Sequence, residues 1–83
     1  MKIKIEVKLK KGYSDPEGEV VANSLRDLGF SIKNVRVSKV YTIDIDVNDI
    51  NEGIKKAQEI CKKLLANPVK DDFFIEVLSD EDN

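Results

Sequence analysis

The chain contains no histidine and no tryptophan, and only one cysteine, two prolines and four glycines among its 83 residues. Without His, neither a Ser-His-Asp triad nor an imidazole metal site can be built. A single Cys excludes an internal disulfide and a Cys-cluster metal site. A basic excess is also missing: 14 Lys and Arg stand against 16 Asp and Glu, for a net charge of −2. Nucleic-acid modules carry the opposite balance, so no nucleic-acid partner is expected. No apolar run approaches the ~18 residues that a membrane span needs, so no membrane partner is expected. The opening Met1-Lys2-Ile3-Lys4-Ile5-Glu6 alternates where a secretory signal would be continuously apolar. A cytoplasmic location is therefore expected, and the lone Cys61 fits a reducing compartment.

What is present is a 41% hydrophobic fraction rich in Ile and Val, sufficient for a folded chain. The length allows one core and a single domain over residues 1–83. A domain this small buries only about 60% of its unfolded surface. With no disulfide or metal to help it, self-association is expected.

Lys2 to Lys10 alternates strictly, with Ile3, Ile5, Val7 and Leu9 on one face, which predicts a half-buried strand. Asp15-Pro16-Glu17 predicts a helix start: a capping carboxylate, a proline suited to the first position, and acidic residues at the positive end of the dipole. Val21, Leu25 and Leu28 give that helix one apolar face, and Gly29 ends it, with Phe30 tucked against the last turn. Ile32 to Val47 predicts two strands, one marked by Val35 and Val37, the other by Tyr41, Ile43, Ile45 and Val47, with a hairpin turn near Ser38-Lys39. A second helix, capped by Asn48-Asp49, follows from the spacing of Ile50, Ile54, Ala57, Cys61, Leu64 and Leu65. Asn67-Pro68 stops it. Phe73 to Leu78 predicts the last strand, and residues 79–83 an acidic, frayed tail.

The expected fold class is α+β: a two-layer sandwich in the order β-α-β-β-α-β, with an antiparallel four-stranded sheet and two helices on one face, ferredoxin-like or closely related. In that strand order the first strand lies beside both the third and the fourth. Outward Lys4 and Lys8 would then face Asp44 and Asp46 on one side and Glu76 on the other. Phe74 and Leu78 fall on the same outward face, and an oligomer interface is expected to cover them.

Few residues offer chemistry. Cys61 lies on the apolar stripe of the second helix with no base to activate it and reads as a packing residue. Asp44 and Asp46 read as a solvated charge ladder. Asp15-Pro16-Glu17-Gly18 is either a well-capped helix start or an anion or partner contact, since Gly permits close backbone approach. Arg36 and Lys39 are either a solvated hairpin or a grip on phosphate or an acidic partner. No catalytic residue and no metal ligand can be named.

In order along the chain, Asp15-Pro16-Glu17-Gly18, Leu25 to Phe30, Val35-Arg36-Val37-Ser38-Lys39 and Cys61-Lys62-Lys63-Leu64-Leu65-Ala66-Asn67-Pro68-Val69 resemble the segments Asp-Pro-x-Gly, Leu-x-x-Leu-Gly-Phe, Val-Arg-x-Gly-Lys and Cys-x-Lys-Leu-Leu-Ala-Asn-Pro-Val of the PurS family. Asp72-Phe73 sits where that family often has Asp-Tyr. Ser38 stands where the family usually has Gly, and a positive φ there would strain it. The resemblance implies the small, non-catalytic subunit of phosphoribosylformylglycinamidine synthase in purine biosynthesis. Such a subunit bridges a glutaminase subunit and a large synthetase subunit and supports ammonia transfer between them. It implies no cofactor of the chain's own, with ATP and Mg used by the large subunit, and a homodimer or homotetramer. Asp15, Pro16, Gly18, Arg36, Lys39, Asn67 and Pro68 become expected partner contacts. The alternative is a regulatory module of ferredoxin-like or ACT-like type that binds a small ligand between protomers; a small carboxylate-based enzyme is the remaining class.

Overall fold

The computed structural model describes residues 1–78; the expected frayed tail over 79–83 lies outside the described residues. The elements are β1 (Lys2–Leu9), α1 (Pro16–Asp27), β2 (Ser38–Asp44), α2 (Ile50–Ile60), which runs on into a π-helical turn (Cys61–Leu65), and β3 (Asp71–Leu78). β1 lies at the centre of an antiparallel sheet of order β2-β1-β3.

The alternation of β1 sets the two faces. Ile3, Ile5 and Val7 point into the core, opposite Ile43 and Val77, Tyr41 and Ile75, and Lys39 and Phe73 in turn. On the other face Lys4 lies opposite Thr42 and Glu76, and Lys8 opposite Ser38 and Asp72. The Lys4–Glu76 pairing is as expected. The ladder to Asp44 and Asp46 is not: Asp44 faces Lys2, and Asp46 lies beyond the end of β2.

The sheet has three strands among the described residues, not four. Val35 and Val37 do not form a ladder; three polar groups of their segment bond to α1 and its cap instead. The Val37 N–H donates to Asp15 Oδ2 (2.7 Å), and Arg26 donates from Nε to the Ile32 carbonyl (2.9 Å) and from Nη2 to the Lys33 carbonyl (2.8 Å). Backbone groups satisfied in this way have no need of a strand partner. Ser38-Lys39 accordingly begins β2 and forms no hairpin turn.

α1 starts as expected: the Gly18 N–H donates to Asp15 Oδ1 (3.0 Å) and Pro16 fills the first helical position. It ends in a Schellman motif. Gly29 takes φ +98°, its N–H donates to the Arg26 carbonyl, and the Phe30 N–H donates to the Leu25 carbonyl. The Phe30 side chain, however, is 58% exposed and does not tuck in. The expectation of two helices on one sheet face also needs correction. α2 packs on β1 and β3, whereas α1 meets the sheet only marginally. Small residues explain why: Gly18 and Ala22 are the buried positions of α1, and Gly18 presses against the Val35 carbonyl. The helix closes on the 32–37 segment, and the pair projects as an arm. The radius of gyration is 16.1 Å, against about 12 Å for a compact chain of this length.

α2 lies on β1 through Gly53, Ala57 and Cys61, spaced four apart and all buried. A Cβ at Gly53 would stand 3.4 Å from Ile3 Cδ1. Ile50 and Leu64, expected on the apolar stripe, are exposed. At Cys61 the helix widens, with the Ala66 N–H donating to the Cys61 carbonyl (2.9 Å), and the wider turn leaves Leu64 81% exposed.

Candidate functional site

The three stretches expected to form contacts meet at one end of the molecule, and a backbone residue holds them there. The Lys10 N–H donates to the Lys70 carbonyl (2.7 Å), tying β1 to the turn before β3. The Lys10 carbonyl accepts from Arg36 Nη2 (3.3 Å), and Arg36 Nη1 donates to the Tyr13 carbonyl (2.6 Å). Arg36 thus clamps the 10–14 loop that leads into α1. Lys10 also reaches Asp72 Oδ1 through its ammonium (3.0 Å). Nothing in the composition or spacing of Lys10, Tyr13 or Lys70 marks them out, since their part is played mainly by backbone atoms.

Asp15 is the buried centre of this knot, 7% exposed. Its carboxylate bridges the first turn of α1 and the 34–37 segment. The Val37 N–H, then the Gly18 N–H, hold its carboxyl below the usual value; burial opposes them, and the Arg36 charge adds to the lowering. A depressed folded value means that the stabilisation is fully present above the unfolded value of 3.8 and is lost as pH falls through the folded one. Asp15→Asn is therefore expected to lower stability at neutral pH, and the difference from the parent chain should shrink as pH drops below 3.8. Urea unfolding at pH 7 and at successively lower pH checks this; a constant difference across that range would contradict it.

Asn67 and Pro68 shape the exit from α2. Asn67 Oδ1 accepts from the Val69 N–H (2.9 Å) and the Lys70 N–H (3.3 Å), while the Asn67 N–H donates to Asp71 Oδ2 (2.8 Å). Lys39 stands apart from Arg36, on the helix-bearing side opposite Val7. There it lines a cleft of ≈ 190 Å³ with Asp15, Glu17, Leu65 and Asp71. A larger open cleft of ≈ 740 Å³ lies on the other side, lined by Glu6, Lys8, Arg36, Ser38, Asp72 and Phe74. Ser38 has an ordinary backbone conformation, as no non-glycine residue among those described takes positive φ. Its hydroxyl donates to Glu6 Oε2 (2.7 Å).

On the outer face Phe74 is 51% exposed, with the Lys8 ammonium 5.0 Å from its ring centre; Leu78 lies four residues along the same face, half-buried. Cys61 is fully buried beside Ile3, Ile5, Val7 and Ala57, and burial pushes its thiol up. Asp44 receives the Met1 amine at 3.4 Å and is largely exposed.

Fold and site together define a small α+β domain that spends its ordered polar groups on fixing loops and presenting a surface. Comparison with known proteins sharpens this. The family model PurS, phosphoribosylformylglycinamidine (FGAM) synthase, matches residues 2–79. A protein of Archaeoglobus fulgidus named phosphoribosylformylglycinamidine synthase subunit PurS is 46% identical over 66 residues, covering 78% of this chain and 82% of its own. The crystal structure of Methanocaldococcus jannaschii PurS superposes with a TM-score of 0.80 at 40% identity, covering 94% of this chain and 95% of that one. A chain in the structure of PurLQS from Thermotoga maritima superposes with a TM-score of 0.82 at 26% identity, covering 93% and 95%. The chain belongs to the PurS family.

Proposed function

We propose that this chain is the non-catalytic small subunit of a phosphoribosylformylglycinamidine synthase of purine biosynthesis, working in the cytoplasm. It joins the glutaminase subunit to the large synthetase subunit and supports ammonia transfer between them. The observation that carries the reading is the family match across residues 2–79. The likeness to a chain of the PurLQS structure supports its place in a complex. ATP and Mg act on the large subunit, and this chain brings no cofactor. The ligand-binding regulatory alternative draws no support from the family match.

The physical task is one of shape. Ammonia in water at neutral pH is mostly ammonium, which is a poor nucleophile, so a junction that excludes water keeps the reactive neutral form from being lost. Rigid loops serve such a junction, and the Lys10–Arg36–Asp15 knot holds them rigid. The partner surface is the end carrying Asp15, Pro16, Gly18, Arg36, Lys39, Asn67 and Pro68. Arg36 and Asn67 act in it by holding loops, since their polar groups bond to nearby backbone. Phe74 and Leu78 serve self-association as a homodimer or homotetramer.

The test reconstitutes the enzyme from glutaminase and synthetase subunits with and without this chain. Glutamine-dependent product formation is expected to require it, and formation driven by high ammonium to need it much less. Arg36→Ala and Asn67→Ala are expected to weaken assembly. Glutamine-driven turnover unchanged by omitting the chain would end the proposal.

A further inference from the structure

A third cleft, of ≈ 270 Å³, opens between the π-helical turn and the start of the edge strand β3. Ala66, Pro68 and Phe73 give it apolar walls, and Lys10, Lys62 and Asp72 stand at its polar side. The π-helical turn builds one wall. The Ala66 N–H reaches back to the Cys61 carbonyl (2.9 Å), and Lys62 and Ala66 within that widened turn both face the cleft. Turns of this kind are rare in helices and recur at functional sites. The opposite wall is fixed by the Asn67 turn, whose carbonyl accepts from the Lys70 N–H (3.2 Å) and the Asp71 N–H (2.8 Å). Both acids of the cleft are engaged from within. Asp72 Oδ1 holds the Lys10 ammonium at 3.0 Å, and Asp71 Oδ2 accepts from the Asn67 N–H (2.8 Å). Lys62 is exposed and makes no ion pair among the described residues. From residue 60 to residue 70 the chain carries Lys62, Lys63 and Lys70 and no acid, although its net charge is −2.

We propose that this cleft anchors another subunit of the enzyme: it takes one large apolar side chain from a segment rich in Asp and Glu, whose carboxylates meet Lys62 and its neighbours. The inference rests on the function proposed above and deepens it by stating the chemistry of the partner at the Asn67–Pro68 exit. Size selects a side chain over a free ligand, since small-molecule sites run to about 300–1,000 Å³ and this one falls below that range. The walls select an apolar group, and a single buried anchor of that kind carries much of an interface's binding energy. Charge selects the flanking residues. With Asp71 and Asp72 already bonded inside the chain, the charges left for a partner are those of the lysines, and like charge on the incoming segment would be repelled. The walls are held by hydrogen bonds of their own, so docking orders little that is not ordered already.

The experiment adds the full-length chain to the glutaminase and synthetase subunits and reads assembly by fluorescence anisotropy of the labelled chain. Ala66→Phe, which fills the cleft, and Lys62→Glu, which reverses its free charge at an exposed position, are each expected to weaken assembly by at least about tenfold. Lys62→Arg should assemble like the parent. Sedimentation and thermal melting of Lys62→Glu alone should match the parent, which separates a docking role from a structural one. A photo-crosslinker, p-benzoylphenylalanine in place of the exposed Val69, is expected to join an apolar residue flanked by Asp or Glu on one of the two subunits, as read by mass spectrometry. A crosslink to a second copy of this chain, or to a segment without acids, overturns the proposal. Assembly unchanged by both Ala66→Phe and Lys62→Glu, with glutamine-driven turnover still requiring the chain, overturns the anchor and leaves the proposed function standing. Turnover that does not need the chain overturns both.

Discussion

Gly18→Ala is expected to destabilise the chain, although alanine is the better helix former by about 1 kcal/mol. The added Cβ would collide with the Val35 carbonyl oxygen and stand 2.9 Å from the carbon of the same group. Both are backbone atoms, so no flexible side-chain end can move aside. Relief requires the 34–37 segment to retreat from α1, and that retreat pulls Val37 away from Asp15, where its N–H is bonded at 2.7 Å. We expect a net loss of about 1–3 kcal/mol, the range for overpacking a closed contact, read as a lower urea midpoint. Gly53→Ala offers a control. There the nearest atom is the Met1 sulfur at 2.5 Å, the end of a flexible side chain, so the loss should be smaller. A Gly18→Ala chain as stable as its parent would show that the arm is not locked to the 32–37 segment.

Ile5→Ala should cost more. Ile5 is wholly buried at the middle of β1, flanked by Tyr41 and Ile75 and covered from the side of α2 by the cluster that includes Ala57 and Cys61. Truncating a buried Ile removes about 2–5 kcal/mol, the larger part where the surroundings cannot collapse into the space. Here β1 is held on both edges and α2 is already in close contact, so collapse is restricted. Total stability for a domain is about 5–15 kcal/mol, and so small a core places this chain toward the lower end. Stability of the Ile5→Ala chain is expected to depend on protein concentration, because association then supplies much of what keeps it folded. Calorimetry over a range of concentrations checks this; a transition that is independent of concentration and within about 1 kcal/mol of the parent would rule it out.

The sequence made much of the fold legible wherever one physical signal dominated. Strict alternation marked β1, and the Asp15-Pro16 and Gly29 punctuation marked α1 at both ends. Val35 and Val37 misled because β-branched residues mark an extended backbone without naming its partner. Their segment joins no strand, and the Ile32 and Lys33 carbonyls and the Val37 N–H bond to Arg26 and Asp15, choices that leave no periodic trace. α1 misled for a related reason: its apolar stripe pointed to the sheet, while the small residues Gly18 and Ala22 decided where it docks. The expected contact residues were found as separate strings. That Asp15 and Val37 are bonded, and that Lys10 joins Arg36 to the turn after Asn67, depends on backbone atoms that every residue has. The family resemblance supplied the function, because a docking surface without catalytic groups carries no chemical motif of its own.

The central place of β1 bears on how the chain reaches its fold. β1 pairs with residues 38–44 and 71–78, so Lys2 meets Leu78 far away along the sequence. Its apolar face is closed only when segments distant in sequence have come together, and such contacts form slowly. Until then that face is open to other molecules, which makes the interval before β1 is paired the stage at which aggregation competes most strongly with folding.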